Sequence, residues 1–190
     1  DDIDKIIPLN DMKGYELLKA TMFGFGYPNY GVALLLKEEA TGKIFLQRVK
    51  ITGSNAKPRI LEIFKDEVIG LPGIPTVSAL PLNGPEYMFF AVDKNVYCLD
   101  LNNITKPVTL YKSFDANVVA MNAESETYSC AHMAVGLENG EFYILMIYGA
   151  KNLSEEEKVI YPKHGAAYPA EERMGRIVDI KYKQLDHWNY

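Results

Sequence analysis

The chain has 190 residues, of which 48% are hydrophobic and 24% charged, with a formal net charge of −5. That length can bury one sizeable core, and the composition is that of an ordinary globular protein, so disorder is not expected. The balance is acidic and the Lys and Arg residues are scattered, which argues against a nucleic-acid surface. No apolar run approaches the roughly 18 residues that a membrane-spanning helix needs, the longest lying near Phe142–Ile147. The start, Asp1-Asp2-Ile3-Asp4, reads as internal to a longer chain and carries no legible address.

In chain order, residues 1–10 with Pro8 read as a surface connector. Tyr15–Met22 is taken as a strand in register with its successors, although its apolar positions match the helical template no worse. Phe23–Tyr30 is a loop of Gly and aromatics. Gly31–Lys37 and Lys43–Lys50 are strands joined by the polar turn Glu38–Gly42. Thr52–Lys57 reads as a turn cluster, and Pro58–Phe64 as an outer strand, since Pro is tolerated at a strand's start or edge.

The same order then returns twice. Thr76–Leu80, Glu86–Val92, Asn95–Leu101 and Val108–Tyr111 form a second set. Asn117–Asn122, Cys130–Leu137, Glu141–Tyr148 and Lys158–Tyr161 form a third, with a polar excursion after Asn122. Within it, Glu138-Asn139-Gly140 is expected to close a tight hairpin through two residues that accept positive φ, Asn139 and Gly140. Phe45, Tyr97 and Tyr143, each just after a hairpin turn, recur at roughly 50-residue spacing, the period of a four-stranded propeller blade.

The fold expected is therefore all-β and propeller-like. One domain spans 1–190, with blades near 15–66, 75–113 and 116–161. Ser154–Glu157 resembles a capping box for one helical turn, and Gly175–Lys183 alternates like the first strand of a further blade. Three blades do not close a ring, so the 190 residues are expected to be part of a larger propeller.

Chemistry-bearing residues are sparse. His132 lies mid-strand while His164 and His187 lie in loops, with no metal-type spacing; neither a metal nor a cofactor is expected. No nucleophile elbow or Ser–His–acid spacing appears, so no catalytic residue is assigned and the chain is read as non-enzymatic. Clustered carboxylates at 38–39, 155–157 and 171–172 read as solvated loops. Asp93, Asp100 and Asp115 are expected to fix turns by bonding backbone N–H groups. Cys98 and Cys130 both fall in strands and read as free buried thiols. Asn103-Ile104-Thr105 and Asn152-Leu153-Ser154 are sequons, which mark surface loops only in a eukaryotic secretory protein.

Thirteen Tyr and one Trp are many for this length. Tyr27, Tyr30, Tyr128, Tyr168 and Trp188 fall in loops, where exposed rings stack on sugars or anchor a protein partner; the competing reading is ordinary packing of a Tyr-rich β fold.

Several passages carry a family resemblance: Asn29–Leu36, Lys43–Val49, Ser78–Gly84, Phe114–Asn117 and Val135–Phe142. From about Tyr27 onward the chain resembles the C-terminal propeller part of the PKD-like family lipoproteins that accompany SusC/SusD-type outer-membrane importers of Bacteroidetes. The resemblance implies a cell-surface or periplasm-facing accessory of peptide or glycan uptake. Its partners would be the transporter and companion lipoproteins, and its membrane attachment a lipid anchor that this chain does not contain. The alternative is a glycan-active propeller hydrolase or lyase with catalytic carboxylates partly outside the chain.

Overall fold

A computed structural model describes residues 12–23, 31–54, 57–81, 87–127, 130–148 and Asp179. It is all-β, with three antiparallel sheets. The chain divides into two compact units, 1–68 and 69–190, and each is taken by itself.

The first unit holds β1 (Tyr15–Phe23), β2 (Gly31–Glu38), β3 (Ile44–Ser54) and β4 (Lys57–Glu67), hydrogen-bonded in chain order. Ala33, Leu34, Leu35 and Leu36 are all buried, so β2 is covered on both faces and has no reason to alternate. On one face, Leu36 pairs with Phe45, Leu34 with Gln47 and Val32 with Val49. There the Tyr15 hydroxyl donates to Glu38 at 3.5 Å, its ring meets Phe45 edge-on at 5.6 Å, and the Lys65 ammonium sits 3.6 Å from its centre. The buried Gln47 amide donates to the Glu62 carboxylate. On the other face, the Arg48 guanidinium lies 5.9 Å from the centre of its register partner Phe64.

The second unit holds β5 (Val77–Ala79), β6 (Tyr87–Val92), β7 (Asn95–Asp100) and β8 (Thr109–Ser113) in one sheet. A second sheet orders β9 (Val118–Thr127), β10 (Cys130–Leu137) and β11 (Phe142–Tyr148) with β10 in the centre. Every residue of β6 is buried. Tyr87, Phe89, Ala91, Val96 and Cys98 of the four-stranded sheet share one core with Met121, Ala131, Met133, Val135, Leu137, Leu145 and Ile147 of the three-stranded one. Phe89 meets Tyr111 edge-on at 5.1 Å within this core. The Thr76 hydroxyl adds a polar tie, donating to the Val118 carbonyl at 3.2 Å.

The eleven strands of the described residues lie where the apolar runs place them, but two stretches that look like turns are ladder. Thr52, Gly53 and Ser54 pair with Arg59, Pro58 and Lys57, so the expected turn cluster is mostly strand. Likewise the polar excursion after Asn122 is a continuation of β9, with Ala123, Glu124 and Ser125 facing Met133, His132 and Ala131. Backbone hydrogen bonds extend a hairpin whatever the side chains, provided these can reach solvent. The expected strands Lys158–Tyr161 and Gly175–Lys183 and the capping turn Ser154–Glu157 lie outside the described residues, Asp179 excepted.

Two outcomes are expected. Phe89→Ala empties the inter-sheet core and costs about 3–5 kcal/mol, whereas Leu110→Ala, at an exposed position, stays within about 0.5 kcal/mol; urea midpoints check both. Burial, assisted by the Asp100 carboxylate across the ladder, pushes the Tyr87 hydroxyl from 10.0 up to about 12. The fold therefore favours the neutral phenol. This contribution is complete below pH 10, where the unfolded tyrosine begins to ionise, and is lost as pH climbs toward 12. Alkaline denaturation should be visibly flatter over that window in Tyr87→Phe than in the parent.

Candidate functional site

At one end of the 69–190 unit, three connections that are distant in sequence are tied together. They are the β6–β7 turn Asp93-Lys94, the β8–β9 link 114–117 and the β10–β11 turn 138–141. Asp93 has φ +53°, the one described residue other than glycine in the left-handed region. Its carbonyl accepts from Val118 N–H at 2.8 Å, and the Lys94 carbonyl accepts from Phe114 N–H at 2.9 Å. Beside them the Ser113 hydroxyl bonds Asn95 Oδ1 at 2.7 Å.

The third connection joins through Asn117. Its carbonyl accepts from Glu138 N–H at 2.9 Å, and its side-chain amide donates to Glu138 Oε2 at 3.1 Å. The turn itself differs from the expected geometry. Gly140 has φ +92° but Asn139 does not have positive φ, so Asn139 is not part of a two-residue mirror-image turn. Instead Gly140 N–H donates to Leu137 at 3.1 Å, Leu137 N–H to Glu141 at 2.8 Å, and Asn139 Oδ1 accepts from Glu141 N–H at 3.1 Å. This is the three-residue loop in which glycine alone takes the left-handed place.

One partly buried aromatic pair stands behind these turns. The Tyr143 ring lies 5.0 Å from Phe114, and its hydroxyl donates to Glu141 Oε2 at 3.2 Å. The Lys112 ammonium sits 5.7 Å from Phe114. Burial raises the Tyr143 hydroxyl above its ordinary value, with Glu141 and Asp115 adding negative potential. Asp93, Asp115, Glu138 and Glu141 outnumber Lys94 and Lys112, so this end accepts hydrogen bonds and attracts cationic groups. Its backbone is held by the hydrogen bonds that tie the three connections together.

Tyr27, Tyr30, Tyr128, Tyr168 and Trp188, the aromatics singled out from sequence, all lie outside the described residues, as do His164 and His187. His132 is half-buried on β10, where it pairs with Glu124 on β9 and Met146 on β11. Cys98 is buried in the inter-sheet core; Cys130 is the first residue of β10. Asp100 fixes its turn as expected, Oδ1 accepting from Asn102 N–H at 2.9 Å. Asp93 serves through its carbonyl and its φ, and Asp115 is exposed. In the first sequon the Thr105 hydroxyl bonds Asn103 Oδ1 at 3.2 Å. Among the described residues no cluster of His, Cys, Asp and Glu could hold a metal, and no helix is long and apolar enough to cross a membrane, which says nothing of strands. The Asn117–Glu138 tie is not legible in the sequence because its partners are 21 residues apart and neither belongs to a known motif.

No family model matches the chain, and no curated protein matches it.

The strained turn yields a test. Asp93→Val forces a β-branched side chain into the left-handed region and should cost about 1–2 kcal/mol. Asp93→Asn, whose side chain tolerates that region, should be nearly neutral. Thermal melts of the two variants beside the parent separate backbone strain from loss of charge.

Proposed function

We propose that the chain is part of a β-propeller and works as a non-enzymatic binding module, an accessory of a SusC/SusD-type importer at a bacterial outer membrane. The observation that carries the propeller reading is how the two sheets of the second unit meet. By repeat position, Met88, Phe90, Val92, Tyr97 and Leu99 correspond to Met133, Val135, Leu137, Tyr143 and Leu145. In the three-stranded sheet this set faces the shared core. In the four-stranded sheet the same set lies on the opposite face, and Phe89, Ala91, Val96 and Cys98 face the core instead. Unlike faces meet, so each repeat offers the next the surface it does not itself use, and stacking can propagate around a ring. A sandwich built by two-fold pairing of like faces would have brought the corresponding residues together.

Such stacking leaves the turns to carry binding, because rigid sheets hold connections whose sequence is free to vary. The importer role rests on the resemblance of the passages at 29–36, 43–49, 78–84, 114–117 and 135–142. The ligand class it suggests is a peptide or glycan, with Tyr27, Tyr30, Tyr128, Tyr168 and Trp188 as stacking residues and a lipid anchor holding the module to the membrane.

The test is purification of the native protein from detergent-solubilised outer membranes, followed by incubation with candidate glycans and peptides. A transporter should come with it, and ligand should be retained unchanged. Recovery from the soluble fraction without a membrane partner would contradict the importer role, and bond cleavage in the ligand would replace the binding reading with the glycan-active enzyme.

A further inference from the structure

The outermost strand of the first unit has an ordered pattern that its place in the sheet does not require. β4 runs for eleven residues, Lys57–Glu67, and among the described residues its ladder partner is β3 alone. Leu61 is 57% exposed and Ile63 49% exposed, so its middle is apolar and open to solvent. An edge strand of this length and character invites another strand, which natural sheets prevent with charges, proline or bulges.

Charges are present, in two groups. Glu62 and Lys65 lie on the face of Gln47 and Tyr15 and are engaged there. Of the rest, Lys57 and Arg59 stand at the beginning and Asp66 and Glu67 at the end, with Ile60, Leu61, Ile63 and Phe64 between. The bulge decides how this pattern presents itself. Arg59 pairs with Thr52, Leu61 with Lys50, Phe64 with Arg48 and Asp66 with Leu46, with the register shift falling at Ile63. Because 46, 48, 50 and 52 alternate along β3 on one face, Arg59, Leu61, Phe64 and Asp66 share that face. Without the extra residue, Phe64 and Asp66 would face the other way.

We propose that β4 pairs antiparallel with β4 of a second copy of this chain, about a two-fold axis near Glu62-Ile63. In that register Arg59 stands beside Asp66 of the second copy and Leu61 beside Phe64 of the second copy, and symmetry makes each contact twice. On this face, charge and apolar complementarity both come from one strand read against itself. The contact is isologous, so it consumes the edge it uses and ends at a dimer. Pro58, which has no N–H to donate, limits the new ladder to the residues after it.

The experiment is sedimentation velocity on the full 190-residue chain over a concentration series, with circular dichroism on each variant. The wild type should dimerise reversibly, and Leu61→Lys with Ile63→Lys should be monomeric with an unchanged spectrum. The charge variants make the test independent of that pair. Arg59→Glu alone and Asp66→Lys alone should each weaken the dimer at least tenfold, since both symmetric contacts become repulsive. Mixing the two single variants should restore it as a heterodimer, because Glu at 59 of one chain then meets Lys at 66 of the other and the second contact keeps its native pair. A wild type that stays monomeric at every concentration overturns the proposal, including the case where β4 amides are shielded by another part of the same chain. So does a dimer that survives the Lys substitutions, or a failure of mixing to restore it.

Discussion

The second unit depends on burial of one apolar face against another. Phe89, Ala91, Val96 and Cys98 meet Met133, Val135, Leu137 and Leu145 across a core from which water is excluded. Each fully buried side chain of this size contributes roughly 1.5–3 kcal/mol relative to exposure. The turn cluster depends on it. Asp93 holds its left-handed φ because β6 and β7 are fixed by the core on one side and Val118 N–H is presented by β9 on the other. A strained residue persists where its surroundings over-determine it. The polar rim of Asn117, Glu138 and Glu141 is then positioned by strands that are not free to move, so its rigidity comes from the core behind it.

The first unit shows the same economy within its own four strands. β2 is buried on both faces, and three polar residues have local partners: Gln47 bonds Glu62, Lys37 bonds Glu16 at 3.0 Å and Lys43 bonds Glu67 at 2.8 Å. The two ion pairs are exposed and screened, so they select register more than they stabilise. What distinguishes this sheet is its outer strand, where Leu61 and Ile63 remain in solvent and a bulge aligns one face. The central strands are buried, and the outer edge and the turns are the exposed parts.

Strand existence is legible because runs such as Met88–Val92 and Phe142–Ile147 are apolar at consecutive positions and bounded by Asp-Lys or Asn-Gly. Strand ends are less so. Thr52–Ser54 and Ala123–Ser125 look like turn sequence by polarity, yet the ladder continues through them because the backbone, which has no polarity pattern, makes the bonds. The turn at Asn139-Gly140 departs from expectation for a related reason: the dipeptide permits two geometries, and the bond from Leu137 N–H to the Glu141 carbonyl selects the longer one. The site is harder still. Loop aromatics are visible in any sequence, but the turns that come together do so through Asp93 with Val118 and Asn117 with Glu138, pairings set by how two sheets stack and by no local spacing. The bulge at Ile63 has no sequence signal either, since Ile-Leu-Glu-Ile-Phe reads as regular strand.

Native-state hydrogen exchange of the central strands tests the stacked core most directly. If β6 and β10 are halves of one core, the amides of Phe89, Phe90, Met133 and Val135 should exchange only through the same opening, with one free energy and one denaturant dependence. Exchange of the β9–β11 amides at distinctly lower free energy, while β6 stays protected, would mean that the three-stranded sheet opens by itself and that the shared core does not hold the unit together.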